Sequence, residues 1–275
     1  MKPPRTRTPG RARALVLVLF ALALLLAANV IARAETPPHV LAPLPGDSLT
    51  SPAGDLRATE QVQFPVTLGT FTTTLHGSRA ERTENIRLAA EVLDGVVLLP
   101  GDVLSFNERV GPRTSERGYL MAPVILHETR QLQAGGGICQ VASTMFVAGL
   151  LSGLSVNERW RHSTPVDYIA IGEDATIAWG AKDLRLRNDL AQRVRLRVRI
   201  VGTTLSARFE GEQPEPDAFE LAREERELPA EPGLDDARAG LEVELYRVRR
   251  GAAGGESREL VHRDVIPPSR GRKDP

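Results

Sequence analysis

Residues Ala134–Phe146 read AGGGICQVASTMF, and both the fold and the chemistry turn on this stretch. Three consecutive glycines permit positive φ and a close approach of backbone to a ligand. They lead into an apolar run predicted as an amphipathic helix from Cys139 to Leu151, stopped at Ser152 and Gly153. Cys139 thus opens the helix, where free N–H groups converge and the positive end of the dipole lowers a thiol pKa. The same amides, from Gly135, Gly136 and Gly137, are suited to an oxyanion hole. The competing reading is a tight turn before an inert, buried cysteine.

Upstream, Gln61–Leu75 alternates Phe64, Val66 and Leu68 and is rich in threonine, which predicts a strand. A helix is predicted over Thr83–Leu93, ending at Asp94 and Gly95. Short strands follow at Val96–Leu99, Val103–Phe106 and Val124–Leu126. Downstream, strands are predicted at Val166–Ile171, Thr176–Ala178 and Val194–Val201. In the last, Val194, Leu196, Val198 and Ile200 alternate with Arg193, Arg195, Arg197 and Arg199, a half-buried strand with arginines on a solvated face. The pattern predicts an α+β fold, a mainly antiparallel sheet with two packed helices, one starting at the glycine-rich cysteine turn. Residues 61–211 form this domain. Residues 212–240, rich in Glu and Pro, read as an acidic spacer, and residues 241–275 as a small C-terminal hairpin and tail.

The N-terminus differs in kind. Residues 1–34 carry six of the 35 basic residues and no acid. A basic stretch to Arg13 precedes the apolar run Ala14–Ala28, and Ala32-Arg33-Ala34 forms a small-x-small end. Those are the parts of a secretory signal peptide, or of an uncleaved signal anchor that tethers the chain to the membrane. Either reading puts the rest outside the cytoplasm, in the periplasm or at the cell surface. Residues 35–60, with five prolines and two glycines, read as a linker.

Composition removes several function classes. The remainder after residue 34 holds 29 basic against 35 acidic residues, and aromatics make up 4% of the 275 residues. Nucleic acid is therefore not an expected partner. One cysteine excludes an intramolecular disulfide and a Cys-rich zinc site. HExxH is absent and the glycine tract lacks a following Gly-Lys-Ser/Thr, so neither metal nor cofactor is expected.

A cysteine nucleophile needs a base. His39 lies in the linker, His262 in the tail, and His76 and His127 in polar, loop-like stretches. His162 follows the cysteine helix and precedes a predicted strand, so the chain can return it to the helix start. Asp174 and Asp167 are both candidates to orient the imidazole. Carboxylate-bearing substrates would find cationic or amide partners in Arg79, Arg82, Asn85, Arg113, Arg185 and Asn188; Arg82, Asn85 and Arg113 are taken with the three glycines as the substrate-binding set.

Ordered blocks across residues 70–211 resemble one family. They are Arg82-x-x-Asn85-Ile86, LDG (93–95), PGDVLSFN (100–107), VGPR (110–113), Gly118-Tyr119, GGGICQ (135–140), Glu158-Arg159, His162-Ser163, Tyr168, Gly172-x-Asp174-Ala175 and Asp183-Leu184. They resemble the VanW family, whose name comes from bacterial glycopeptide-resistance (vancomycin-resistance) gene clusters. Some members are similar to L,D-transpeptidases, forming 3–3 cross-links in peptidoglycan through the domain's cysteine. The resemblance implies Cys139 as nucleophile, His162 as base, and peptidoglycan stem peptides as partners. Two rivals stand beside this transferase reading. One is a non-catalytic envelope module that binds cell-wall peptides or biosynthetic proteins; the other is a cysteine endopeptidase or amidase.

Overall fold

The computed structural model describes residues 63–75, 77–126, 129–230, 237–252 and 254–270. The expected export segment and linker, with His39, His76 and His127, lie outside the described residues. In chain order the first elements are β1 (Val66–Thr74), α1 (Ala80–Leu93), β2 (Val97–Leu98), β3 (Val103–Ser105) and α2 (Phe106–Val110). The hairpin β4 (Met121–Leu126) and β5 (Thr129–Ala134) leads through the glycines into α3 (Ile138–Leu151). Then come β6 (Ser155–Glu158), β7 (Arg185–Arg187), β8 (Val194–Val201) and β9 (Thr204–Gly211). The C-terminal part holds β10 (Asp217–Leu228), β11 (Ala237–Arg238), β12 (Gly240–Gly251), β13 (Glu256–Ile266) and β14 (Ser269–Arg270).

The fold is α+β, with antiparallel pairing throughout. One sheet runs β1-β9-β8-β2 and a smaller one runs β3-β7-β6. The expected C-terminal hairpin is β12–β13, and β10 joins it to make a three-stranded sheet. Helix α3 is the centre of the molecule. Of its fourteen residues only Cys139 and Leu151 keep appreciable surface. A helix apolar on all sides must be wrapped by its neighbours, so α3 is a core helix and not the amphipathic one expected. It packs between the β1–β9 face and α1, with Met145, Phe146, Leu196 and Phe209 fully enclosed.

Its three buried polar side chains are all bonded, as burial requires. Gln140 donates to Thr73 Oγ1 and the Thr74 carbonyl, both at 2.9 Å. Thr144 donates to the Gln140 carbonyl, and Ser143 to the Cys139 carbonyl. Strand β8 runs as expected over Val194–Val201, but its arginine stripe is not simply solvated. Arg193 pairs with Glu212, Arg195 with Glu210, and Arg197 and Arg199 with Asp94.

Two further expectations are corrected. Val166–Ile171 and Thr176–Ala178 are not strands; the long connection from β6 to β7 holds only an isolated bridge between Ala178 and Lys182. Its backbone donors go to side chains instead of a ladder: His162 N–H to Asp174, Ala175 N–H to Ser143, Asp183 N–H to Glu158. Within the expected acidic spacer, Asp217–Leu228 is strand β10, paired along its length with β12. Its acids find arginines across the ladder, Asp217 with Arg249 and Glu220 with Arg250, which offsets the self-repulsion that composition suggested.

Candidate active site

The connection after β6 folds back on itself. The Trp160 carbonyl accepts from Thr176 N–H at 2.7 Å, and the His162 N–H donates to Asp174 Oδ2 at 2.7 Å. Ser143 Oγ accepts from Ala175 N–H at 2.9 Å, tying this clamp to α3 one turn after Cys139. His162 Nδ1 consequently lies 2.6 Å from Asp174 Oδ2. With Nδ1 taken by Asp174, the other ring nitrogen is the one left to serve Cys139, and thiol and imidazole lie close enough for each to stabilise the other's charge. Cys139 Sγ is 3.7 Å from the Ile177 carbonyl oxygen. Of the two carboxylates considered for orienting the ring, Asp174 is the one in contact.

Electrostatics follow from this geometry. Burial opposes ionisation of Cys139, yet the neighbouring His162 ring and its charge, the Ile177 backbone and the Arg113 charge outweigh it, so the thiol pKa falls. Part of the residue's surface still remains open. Burial also works against His162 carrying charge, but Asp174 and the thiolate overcome it and raise the ring to about 9. Burial pushes Asp174 up, and His162 with Arg159 bring it below the usual carboxylate value. The three shifts all act in favour of a thiolate–imidazolium pair held by a carboxylate. Because the His162 pKa is raised, the stability it adds is complete below the free-imidazole value near 6.5 and is lost as pH rises through about 9.

The three glycines are needed for different reasons. Gly135 and Gly137 have φ of 83° and 104°, and an added Cβ would stand 2.6 Å from the Arg113 and Arg82 side chains respectively. At Gly136 the same atom would meet the Ala122 carbonyl oxygen at 2.5 Å. The tract lets two arginines and β4 close on the helix start. The Gly135 and Gly136 amides are spent on Leu120 and Gln133. Among the described residues no acceptor takes the Gly137 or Cys139 N–H, so the amides open to a developing oxyanion are these two.

Asn85 is buried and fully committed: it donates to the Leu120 and Gly136 carbonyls and accepts from Leu120 N–H. It shapes the glycine turn and has nothing left for a substrate. Arg82 donates to Ser78 and Gln140; Arg113 donates to Asn107 and the Gly111 carbonyl. Both lie beside Cys139 closely enough for their charges to act on it. Asn188 is a buried loop tie between Leu98 and Gln192, and Arg185 sits on β7 facing Glu108.

Sequence reasoning missed the support behind Asp174. Arg159, 5% exposed, binds Asp174 Oδ1 at 2.8 Å and both oxygens of Asp264 at 2.7 Å. His262, set aside as a tail residue, packs beside Phe146 and its Nε2 donates to the Gly172 carbonyl at 2.8 Å. Burial, then the Arg159 charge, lower its pKa and keep it neutral. The only sequence signal was Arg159 within a motif block; its partner lies 105 residues away.

Fold and site together define an α+β domain whose core helix presents a cysteine to a histidine–carboxylate pair. The family model described as VanW like protein matches residues 81–209, and the chain carries a VanW-like domain there. It is 38% identical over 138 residues to an uncharacterized protein, YoaR, of Bacillus subtilis (strain 168), covering 50% of this chain and 46% of that one. It is 31% identical over 110 residues to the vancomycin B-type resistance protein VanW of Enterococcus faecalis (strain ATCC 700802 / V583), covering 38% of this chain and 40% of that one. The chain spans less than half the length of these relatives. No solved structure matches it.

Proposed function

We propose that this protein is exported by its basic–apolar N-terminal segment and acts on peptidoglycan as a cysteine acyltransferase of the L,D-transpeptidase kind. The observation that carries the reading is the His162–Asp174 pair beside Cys139, at a helix start where two amides have no acceptor among the described residues. Similarity to a vancomycin-resistance protein supports a cell-wall substrate.

The thiolate of Cys139 attacks the carbonyl between residues three and four of a tetrapeptide stem, forming a C–S bond. Negative charge on the carbonyl oxygen is met by the Gly137 and Cys139 amides, donors with no acceptor among the described residues. The amide C–N bond then breaks, and the leaving amine of D-alanine takes its proton from imidazolium His162. A side-chain amine of a second stem attacks the thioester, giving its proton to His162 and releasing the thiolate. Water in place of that amine yields a carboxypeptidase product. Asp174 keeps the ring oriented and favours its charged form.

Incubating the protein with muropeptides and resolving products by mass spectrometry tests this. Wild type should form 3–3 dimers and Cys139→Ala none. Equal product from both would end the proposal, and cleaved monomers without dimers would favour a peptidase. Transfer should decline as pH rises through about 9, where His162 loses the proton the leaving amine needs.

A further inference from the structure

Two guanidinium groups flank the thiol without an anionic partner of their own. Arg159, in the same neighbourhood, is neutralised by Asp174 and Asp264. By contrast, the hydrogen-bond acceptors of Arg82 are Ser78 Oγ and Gln140 Oε1, and those of Arg113 are Asn107 Oδ1 and the Gly111 carbonyl, all uncharged. Neither arginine forms an ion pair with a carboxylate of the described residues. Both are half-buried, and burial is the main influence lowering each pKa. Partial desolvation of a guanidinium is costly unless an anion accompanies it.

The acids that face them leave this charge uncompensated. Asp167 attracts Arg82 and Asp183 attracts Arg113 from beyond ion-pair distance. Asp183 is already committed to Ser105, the Asn107 N–H and the Leu184 N–H. Tyr168 and Tyr119, also nearby, are held protonated, chiefly by burial. One thiolate, itself paired with His162, does not balance two cations.

The arginines are also rigidly held. Gln140 is fixed by Thr73 and Thr74, and Asn107 by the Lys182 and Ala178 carbonyls. Each guanidinium has five N–H groups and uses a minority of them here. Planar forks with spare donors suit a carboxylate. Resting on the acyltransferase reading of Cys139, we infer that Arg82 and Arg113 form a carboxylate-binding pair, so that the acyl donor is a peptide with a free carboxylate beside the bond attacked. A carboxy-terminal residue fits this description, whereas an internal peptide bond far from any carboxylate does not.

Two alkylating agents of equal reach, anionic iodoacetate and neutral iodoacetamide, separate this claim from the one it rests on. The ratio of their rates cancels any change in thiol pKa, because both consume the same thiolate. On the full chain the iodoacetate-to-iodoacetamide ratio should exceed that of N-acetylcysteine by roughly tenfold or more. It should fall several-fold in Arg82→Gln and in Arg113→Gln, and be restored only in part by lysine at either position, which keeps the charge but not the planar fork. A reactive thiol whose ratio is the same in wild type and both glutamine variants overturns the inference and leaves the acyltransferase reading intact, the imidazolium alone then drawing the anion. A thiol inert to both agents removes the acyltransferase reading, and the inference with it.

Discussion

The region matched by the family and the C-terminal sheet are held together by different forces. In the former, Phe106, Phe146, Leu196 and Phe209 are wholly enclosed around α3. The β10–β12–β13 sheet buries few apolar side chains, chiefly Val243, Leu245 and Val248. It is laced instead by cross-strand pairs such as Arg226–Glu242, Arg258–Glu224 and Arg263–Glu244. Apolar burial is non-directional and is not weakened by ionic screening, whereas exposed pairs contribute little each and are screened. Yet this sheet carries Asp264 and His262 to the site. Cys139 and His162 belong to residues 81–209; the countercharge that holds Arg159 against Asp174 comes from outside that match.

Asp264→Ala breaks the comparison most severely. It strips a buried arginine of one carboxylate, and loss of one partner from a buried pair costs about 4 kcal/mol. Thermal unfolding should reveal this, together with slower alkylation of Cys139 as Asp174 loses its support. Leu196→Ala, in the fully enclosed core, should cost about 3 kcal/mol with the thiol chemistry unaltered in the protein that remains folded. Arg250→Ala removes an exposed pair with Glu220 on the C-terminal sheet and should shift Tm by less than about 2 °C. If Arg250→Ala instead matched Leu196→Ala in denaturant titrations, the contrast between the two regions would fail.

What was readable in the sequence divides along similar lines. Helix α1 and β8 follow from periodicity and stop signals, since local pattern and burial agree there; the limits of α3 were legible from the glycines and Ser152-Gly153, but its burial on all sides was not. Cys139 and His162 were identifiable because a lone thiol after three glycines restricts the options, and one histidine had a route back to it. Asp174 and Asp167 were not separable: the choice depends on the Trp160–Thr176 backbone bond, a tertiary contact. Strand β10 was hidden by its own acidity, because an isolated segment does not show that Arg249 and Arg250 will face it. The role of Asp264 rests on a pairing across 105 residues, which no local window contains.

The account depends on a thiolate held by an imidazolium, and the rate of iodoacetamide labelling against pH tests that most directly. In the wild type, labelling should rise with an inflection well below the ~8.5 of a free thiol. In His162→Ala, burial is left to oppose ionisation and the inflection should move to about 8.5 or higher. Coincident profiles for the two proteins would contradict the account.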